Sequence, residues 1–216
     1  MLQESNMMIH KYIKGLNPKR PTLLLLHGTG GNENDLLPVG KLIDPDASLL
    51  AVRGEVIENG MPRFFRRLAP GVFDEQDLLY RTSQLHDFID QASKTYDFDR
   101  GDVIAVGYSN GANIAANMLM QIPYSLRGAI LMHPMLPRKD GVIPTLKDLQ
   151  VLITAGNNDP IVPIQSTQAL KKVLDDHGAK VSLSWFKYGH KLSSEEVQFI
   201  IKWYNQSVVQ HPKQFN

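Results

Sequence analysis

The first residue to suggest chemistry is a serine framed by glycines. Residues 107–111 read Gly-Tyr-Ser-Asn-Gly, a G-x-S-x-G pattern centred on Ser109. The pentapeptide alone is only moderately specific, and its surroundings raise it. An apolar run ends at Val106, and an Ala- and Met-rich stretch opens at Ala112. That strand–turn–helix setting is what a nucleophile elbow requires. The turn is too tight for side chains on either side, and the serine is held in strained φ/ψ with its hydroxyl exposed. The plainer reading is a Gly-rich turn with a helix-capping serine.

A serine hydroxyl is a weak nucleophile and needs a base. Of the 7 histidines, His190 sits in Tyr188-Gly189-His190, after the last strand-like run and before the last helix. That is the base position in a chain order of Ser, Asp, His. His27 and His133 follow other strand-like runs and could lie near the site, whereas His10, His86, His177 and His211 have no catalytic context. A third residue must orient the imidazole and stabilise its cationic form. Asp159, just past a strand-like run and between Ser109 and His190 in the chain, fits that role. Asp148, Asp175 and Asp176 fall in turn or helical contexts that suit solvated side chains. Such a set performs acyl transfer, which also needs N–H donors for the oxyanion. The residue after the nucleophile, Asn110, supplies one, and Thr29 in His27-Gly28-Thr29-Gly30-Gly31 is the candidate for the second. Phosphate binding by that loop is disfavoured: position 33 is Glu, so G-x-G-x-x-G fails, and no Gly-Lys-Ser/Thr follows.

These residues need a scaffold that gathers four distant loops. Strand-like runs fall at 7–13, 22–26, 49–52, 103–106, 128–132, 151–155 and 181–186. Several are continuously apolar, as strands covered on both faces are. Helical periodicity separates them at 78–96, 112–122 and 164–177, and Ser193-x-x-Glu196 has the form of a capping box opening a last helix through Trp203 and Tyr204. The alternation predicts an α/β fold, a doubly wound and mainly parallel sheet with helices on both faces. At 216 residues one domain is expected over 1–216.

Composition narrows the function. Lys+Arg is 23 against Asp+Glu 22, a net charge of +1, which leaves no electrostatic footprint for nucleic acid or anionic lipid. The chain has no cysteine, so disulfides, Cys-based zinc sites and Cys nucleophiles are excluded. No apolar run approaches the ~20 residues of a membrane span, and the first residues do not form a secretory signal. The expectation is a cytoplasmic protein, monomer or homodimer, with a small-molecule ester as substrate and neither metal nor organic cofactor.

One segment breaks the alternation. Residues 53–76 carry Gly54, Gly60, Pro62, Pro70 and Gly71 with no periodicity. A loop this long is expected to be functional, and its aromatics Phe64, Phe65 and Phe73 argue against simple disorder. Either they pack beneath the loop as a satellite core, or at least one lines an apolar wall for the substrate with an arginine at its rim.

Taken together, the residues resemble the α/β-hydrolase superfamily and, within it, the carboxylesterase/phospholipase group that includes the acyl-protein thioesterases. Leu-Leu-Leu-His-Gly-Thr-Gly-Gly at 24–31, the elbow at 107–111, Asn-Asp-Pro-Ile-Val-Pro at 158–163 and Gly189-His190 match the group in order, from about residue 20 to 205. Segments 62–67 and 107–113 are similar to a bacterial branch of carboxylesterases, some of them associated with hydroquinone stress. The resemblance implies Ser109, Asp159 and His190 as a catalytic triad, with Thr29 and Asn110 as oxyanion donors. The acyl-protein thioesterases have Gln after the serine where this chain has Asn110, which leaves the backbone N–H unaffected but weakens transfer of protein depalmitoylation. Dienelactone hydrolases of the same fold use Cys as nucleophile, so Ser109 argues against their chemistry. Thioesterase or lysophospholipase activity on the same triad is the nearest alternative. A non-catalytic binding protein on this scaffold is the rival from another class, since a fold does not prove an activity.

Overall fold

The structure, a computed structural model, describes residues 8–210. In chain order the elements are β1 (His10–Ile13), β2 (Thr22–Leu26), α1 (Leu37–Ile43), β3 (Ser48–Val52), β4 (Val56–Glu58), β5 (Met61–Arg63), β6 (Arg67–Ala69) and β7 (Val72–Phe73). Then follow α2 (Glu75–Tyr96), β8 (Val103–Tyr108), α3 (Asn110–Gln121), β9 (Gly128–Met132), β10 (Gln150–Gly156), α4 (Ile164–Asp176), β11 (Lys180–Phe186) and α5 (Ser194–Tyr204), which runs into a π-helical turn at Asn205–Val209. Met7, the expected start of the first strand, lies outside the described residues.

Seven strands form one sheet in the order β1-β3-β2-β8-β9-β10-β11. Only β1 runs antiparallel, against β3. The strands obey the period of two that a sheet imposes. Leu24, Leu26, Leu50, Val52, Ala105, Leu131 and Ile153 point to one face, where they pack with α2, α3 and α4. Leu23, Leu25, Leu49, Ala51, Val106, Ile130 and Leu152 point to the other, against α1 and α5. Both faces are therefore dry, which is why these strands read as unbroken apolar runs. Among the described residues no helix is long and apolar enough to cross a membrane.

The chain passes from β2 outward to β3 on one side and returns through β8 on the other. The boundary between β2 and β8 is the switch point of the sheet, where the loops at the strands' C-terminal ends diverge and leave a crevice. Residues 53–76 are not one irregular loop. They form two small hairpins, β4–β5 and β6–β7. Asn59 and Gly60 both take positive φ, +51° and +79°, as a two-residue type I′ turn demands. Pro70 followed by Gly71 at φ +74° has the residue pattern of a type II turn. The short helix α1, with a proline in its first turn, was not expected either. Two turns give too few repeats for periodicity to show.

Candidate active site

Parallel pairing in register sets the ends of neighbouring strands side by side. Gly107 of β8 is opposite Leu26 of β2 and Leu131 of β9, Met132 of β9 is opposite Thr154 of β10, and Gly156 of β10 is opposite Phe186 of β11. The residues just past these ends share one edge. Two of them extend the ladder: Ser109 N–H donates to the Met132 carbonyl at 2.8 Å and His133 N–H to the Thr154 carbonyl at 2.7 Å. Four successive loops thus bring Ser109, His133, Asp159 and His190 together.

Ser109 sits at φ +51°, ψ −110°, a strained conformation for a residue with a side chain. The flanking glycines make it reachable. A Cβ on Gly107 would stand 2.6 Å from the Gly111 carbonyl oxygen, and one on Gly111 would stand 2.0 Å from that of Leu26. His190 Nε2 is 3.0 Å from Ser109 Oγ, and His190 Nδ1 is 2.7 Å from Asp159 Oδ2. Asp159 Oδ1 accepts the N–H groups of Ile161 and Val162 at 2.8 and 3.0 Å, which fixes the carboxylate. Because that carboxylate can only accept, His190 carries its proton on Nδ1 and presents the Nε2 lone pair to the serine hydroxyl. Burial pushes the Asp159 carboxyl up, but the hydrogen bonds from His190, the two N–H groups and His133 outweigh it, and its pKa lies below the usual value.

His133, which the sequence left as a histidine near the site, is fully buried. Its Nδ1 lies 3.1 Å from Asp159 Oδ2 and its Nε2 lies 3.2 Å from Glu196 Oε2. Burial disfavours its cation, yet the two carboxylates outweigh this and raise its pKa. The other candidate, His27, is structural. Its Nε2 accepts the Gly54 N–H at 3.0 Å, so its Nδ1–H donates to the Gly28 carbonyl at 2.6 Å. Burial lowers its pKa, consistent with a neutral ring. Tyr108 donates its hydroxyl to the His190 carbonyl. Burial, then Glu196 and Asp159, push that phenol up to about 12, so it remains a donor.

The loop after β2 is held from the hairpin side. Gly30 N–H donates to the Pro62 carbonyl at 2.9 Å, and Arg63 Nη1 donates to Thr29 Oγ1 at 2.6 Å. The Asn110 side chain accepts the Phe64 N–H at 2.7 Å, tying the same segment to the elbow. Asn110 is also the first residue of α3, where backbone N–H groups have no intrahelical partner and the dipole is positive. Thr29 and Asn110 both line the cleft that Ser109 lines.

A cleft of about 350 Å³ opens over Ser109 and His190, and Thr29, Arg63, Arg67, Phe73, Met135, Ile161 and Val162 contribute to its walls. The expectation for the aromatics divides here. Phe64 and Phe65, 2% and 0% exposed, are core residues and do not line the cleft. Phe64 packs on His27, and Phe65 stands edge-on behind Phe73. The reason is geometric: residues 64–66 cross between the two hairpins, and both rings join the core cluster that holds residues of the sheet and α2. Phe73 alone of the three reaches the cleft. The sequence assigned no role at the site to Tyr108, Asn113 or Glu196, the last expected only in a capping box, and it led to an arginine at the rim without choosing Arg63 or Arg67. The position of Tyr108 beside the serine was the one available signal. A metal would find its nearest set of ligands in His133, Asp159 and His190, whose donor atoms lie within 4.8 Å of one another, but these atoms already pair with each other.

Comparison with known proteins places the chain in a family. Residues 8–208 match the Phospholipase/Carboxylesterase family. The chain belongs to that family. It is 52% identical over 202 residues to a Bacillus subtilis (strain 168) protein named as a hydrolase, MhqD, covering 94% of this chain and all of that one. The crystal structure of a Bacillus cereus carboxylesterase superposes with a TM-score of 0.93 at 50% identity, covering 95% of this chain and 97% of that one. A structure of YahD with malic acid superposes with a TM-score of 0.89 at 32% identity, covering 94% and 100%. The fold is the α/β-hydrolase fold, and the protein is a carboxylic ester hydrolase.

Proposed function

We propose that this esterase works through an acyl-enzyme on Ser109, with His190 as general base and acid and Asp159 as its orienting carboxylate. The observation that carries the reading is the continuous chain from Ser109 Oγ to His190 Nε2 at 3.0 Å and from His190 Nδ1 to Asp159 Oδ2 at 2.7 Å. Ser109 Oγ attacks the ester carbon as His190 Nε2 takes its proton. The carbonyl oxygen becomes an oxyanion, stabilised by the backbone N–H groups of Thr29 and Asn110. His190 then hands the proton to the leaving alcohol as the C–O bond breaks. Water repeats the sequence on the acyl-enzyme, losing its proton to His190, and the carboxylic acid is released. Asp159 stays ionised throughout and stabilises the imidazolium. The small cleft supports esters of small or medium size.

A fluorophosphonate probe tests this. The wild type should be labelled at one residue, with loss of esterase activity in step, and Ser109→Ala should take no label. Labelling that persists in Ser109→Ala overturns the assignment of the nucleophile. Ester hydrolysis without any labelling overturns the covalent mechanism.

A further inference from the structure

We propose that Arg63 and Arg67 form a carboxylate-recognition subsite in the cleft, and that the preferred esters bear a free carboxylate besides the ester group. This rests on the hydrolase reading above and adds the class of substrate to it.

The hairpin wall of the cleft carries more positive than negative charge. Arg63 and Arg67 both line it, on the two hairpins of residues 53–76. One carboxylate, Glu58, is divided between them: its Oε1 lies 2.7 Å from Arg67 Nε and its Oε2 lies 3.3 Å from Arg63 Nε. Two guanidinium groups against one carboxylate leave a charge of +1. No Asp or Glu lines the cleft among the described residues. Asp159 and Glu196 are buried behind the imidazoles and turned toward His133.

Arg63 is a buried cation whose Nε lies 3.3 Å from the Glu58 carboxylate that it shares with Arg67. It is 3% exposed, and burying a cation is costly unless something compensates. Its hydrogen-bond acceptors are the Thr29 hydroxyl and the Phe65 carbonyl, both neutral. A planar cation suits a carboxylate, which it can grip with two parallel N–H donors. Arg67 stands further out, its side chain 31% exposed, where it can meet an incoming anion. The remaining wall is apolar, built from Phe73, Met135, Ile161 and Val162. The ligand that fits has a short apolar body, an ester over Ser109 and an anionic end on the arginines.

Matched pairs of esters test the subsite. On the acyl side the pair is the mono-4-nitrophenyl ester of glutaric acid against 4-nitrophenyl butyrate. On the alcohol side it is 4-acetoxybenzoate against its methyl ester. Each kcat/KM is divided by the rate of uncatalysed hydrolysis. The wild type should favour the carboxylate member by about tenfold or more in at least one pair, the scale of a charge-assisted hydrogen bond. That ratio should fall at least about fivefold in Arg67→Gln and recover in part in Arg67→Lys, since the lysine keeps the charge and loses the fork. Should Arg67→Gln not fold, the lysine variant carries the comparison, and a wild-type ratio that declines with added salt supports the same assignment. Glutarate should inhibit competitively, and inorganic phosphate at equal concentration should do so less. A wild-type ratio at or below one in both pairs overturns the subsite, as does equal inhibition by phosphate. Equal losses on both members in Arg67→Gln also overturn it, because the arginine would then serve the reacting centre. In each of these cases the neutral ester is still cleaved and Ser109 still labelled, so the hydrolase reading survives. Failure of that reading is a different result: no labelling at Ser109.

Discussion

His133 and His190 share one carboxylate oxygen: both Nδ1 atoms converge on Asp159 Oδ2, at 3.1 and 2.7 Å. The opposite nitrogen of His133 meets Glu196 Oε2 at 3.2 Å. A ring with an ionised carboxylate at each nitrogen donates on both sides and is an imidazolium. His133 therefore lies between two buried carboxylates that raise its pKa, and the ring at the base position leans on one of them. Facing it are Asp159, Glu196, His190 and the Tyr108 ring.

The first prediction concerns stability and pH. Asn tolerates the positive φ of +53° at position 133 better than most residues, so His133→Asn isolates the side chain. The raised pKa of His133 means its stabilisation is fully present below the unfolded value near 6.5 and is lost as pH rises through the folded value. The gap in Tm between wild type and His133→Asn should be full below about pH 6.5 and shrink as pH rises above it. His27, whose pKa is lowered, acts in the opposite direction but is present in both proteins and cancels. Near pH 6.5 the loss should be ~3 kcal/mol, the cost of removing one partner from a buried ion pair. A gap that grows with pH would show a neutral His133.

The second prediction ranks the histidines. On the proposed mechanism His190→Ala removes the proton acceptor of Ser109 and should lower kcat/KM by at least about 10³-fold. His133→Ala should retain far more activity, because Asp159 keeps the two N–H donors of Ile161 and Val162. His27→Ala should act mainly through the loop it ties to Gly54. Kinetics on a 4-nitrophenyl ester decide the order. A larger loss in His133→Ala than in His190→Ala would move the base to His133.

The sequence made the centre of the sheet legible because its residues answer to one constraint at a time. Thr22–Leu26 and Gly128–Met132 are buried on both faces and read as apolar runs with the bounds observed. Ser109 and Asp159 stand shortly after such runs, while His190 follows β11, an alternating strand at the sheet edge. The hairpins of residues 53–76 were harder. Their strands are two or three residues long, too short for alternation to register. The Asn59-Gly60 pair was the local signal for one of them. The role of His133 was illegible for another reason: it depends on Glu196, 63 positions away, and no spacing rule links them.

The third prediction concerns Asn110. Its backbone N–H is unchanged by substitution, but its Oδ1 holds the Phe64 N–H. Asn110→Ala leaves that buried donor unpaired, at a cost of about 1–3 kcal/mol, and loosens the hairpins against the elbow. Stability should fall by that amount and kcat/KM by about tenfold, while Ser109 remains open to the fluorophosphonate. Asn110→Asp, which keeps an acceptor, should lose less stability than the alanine. Equal stability in the two variants would show that the bond to Phe64 contributes nothing.

The fourth prediction separates the three phenylalanines. Phe64 and Phe65 are sealed in the core, so Phe64→Ala and Phe65→Ala should each cost about 3–5 kcal/mol through lost burial and a residual cavity. At temperatures where these variants remain folded, the ratio of kcat/KM between short and long acyl esters should stay close to wild type. Phe73 is a different case, because it is partly exposed and forms part of the cleft wall. Phe73→Ala should cost less stability and shift the ratio by about 1–3 kcal/mol of discrimination, the range for a hydrophobic contact in a substrate pocket. The lost wall also widens the cleft, so the shift should favour the bulkier acyl group. Phe65 stands edge-on to Phe73, and Phe65→Ala therefore serves as the internal control. If it moves the ratio as far as Phe73→Ala does, Phe73 is held in place by Phe65 and specificity reaches back into the core. If neither moves it, the acyl group lies against Met135, Ile161 and Val162 instead.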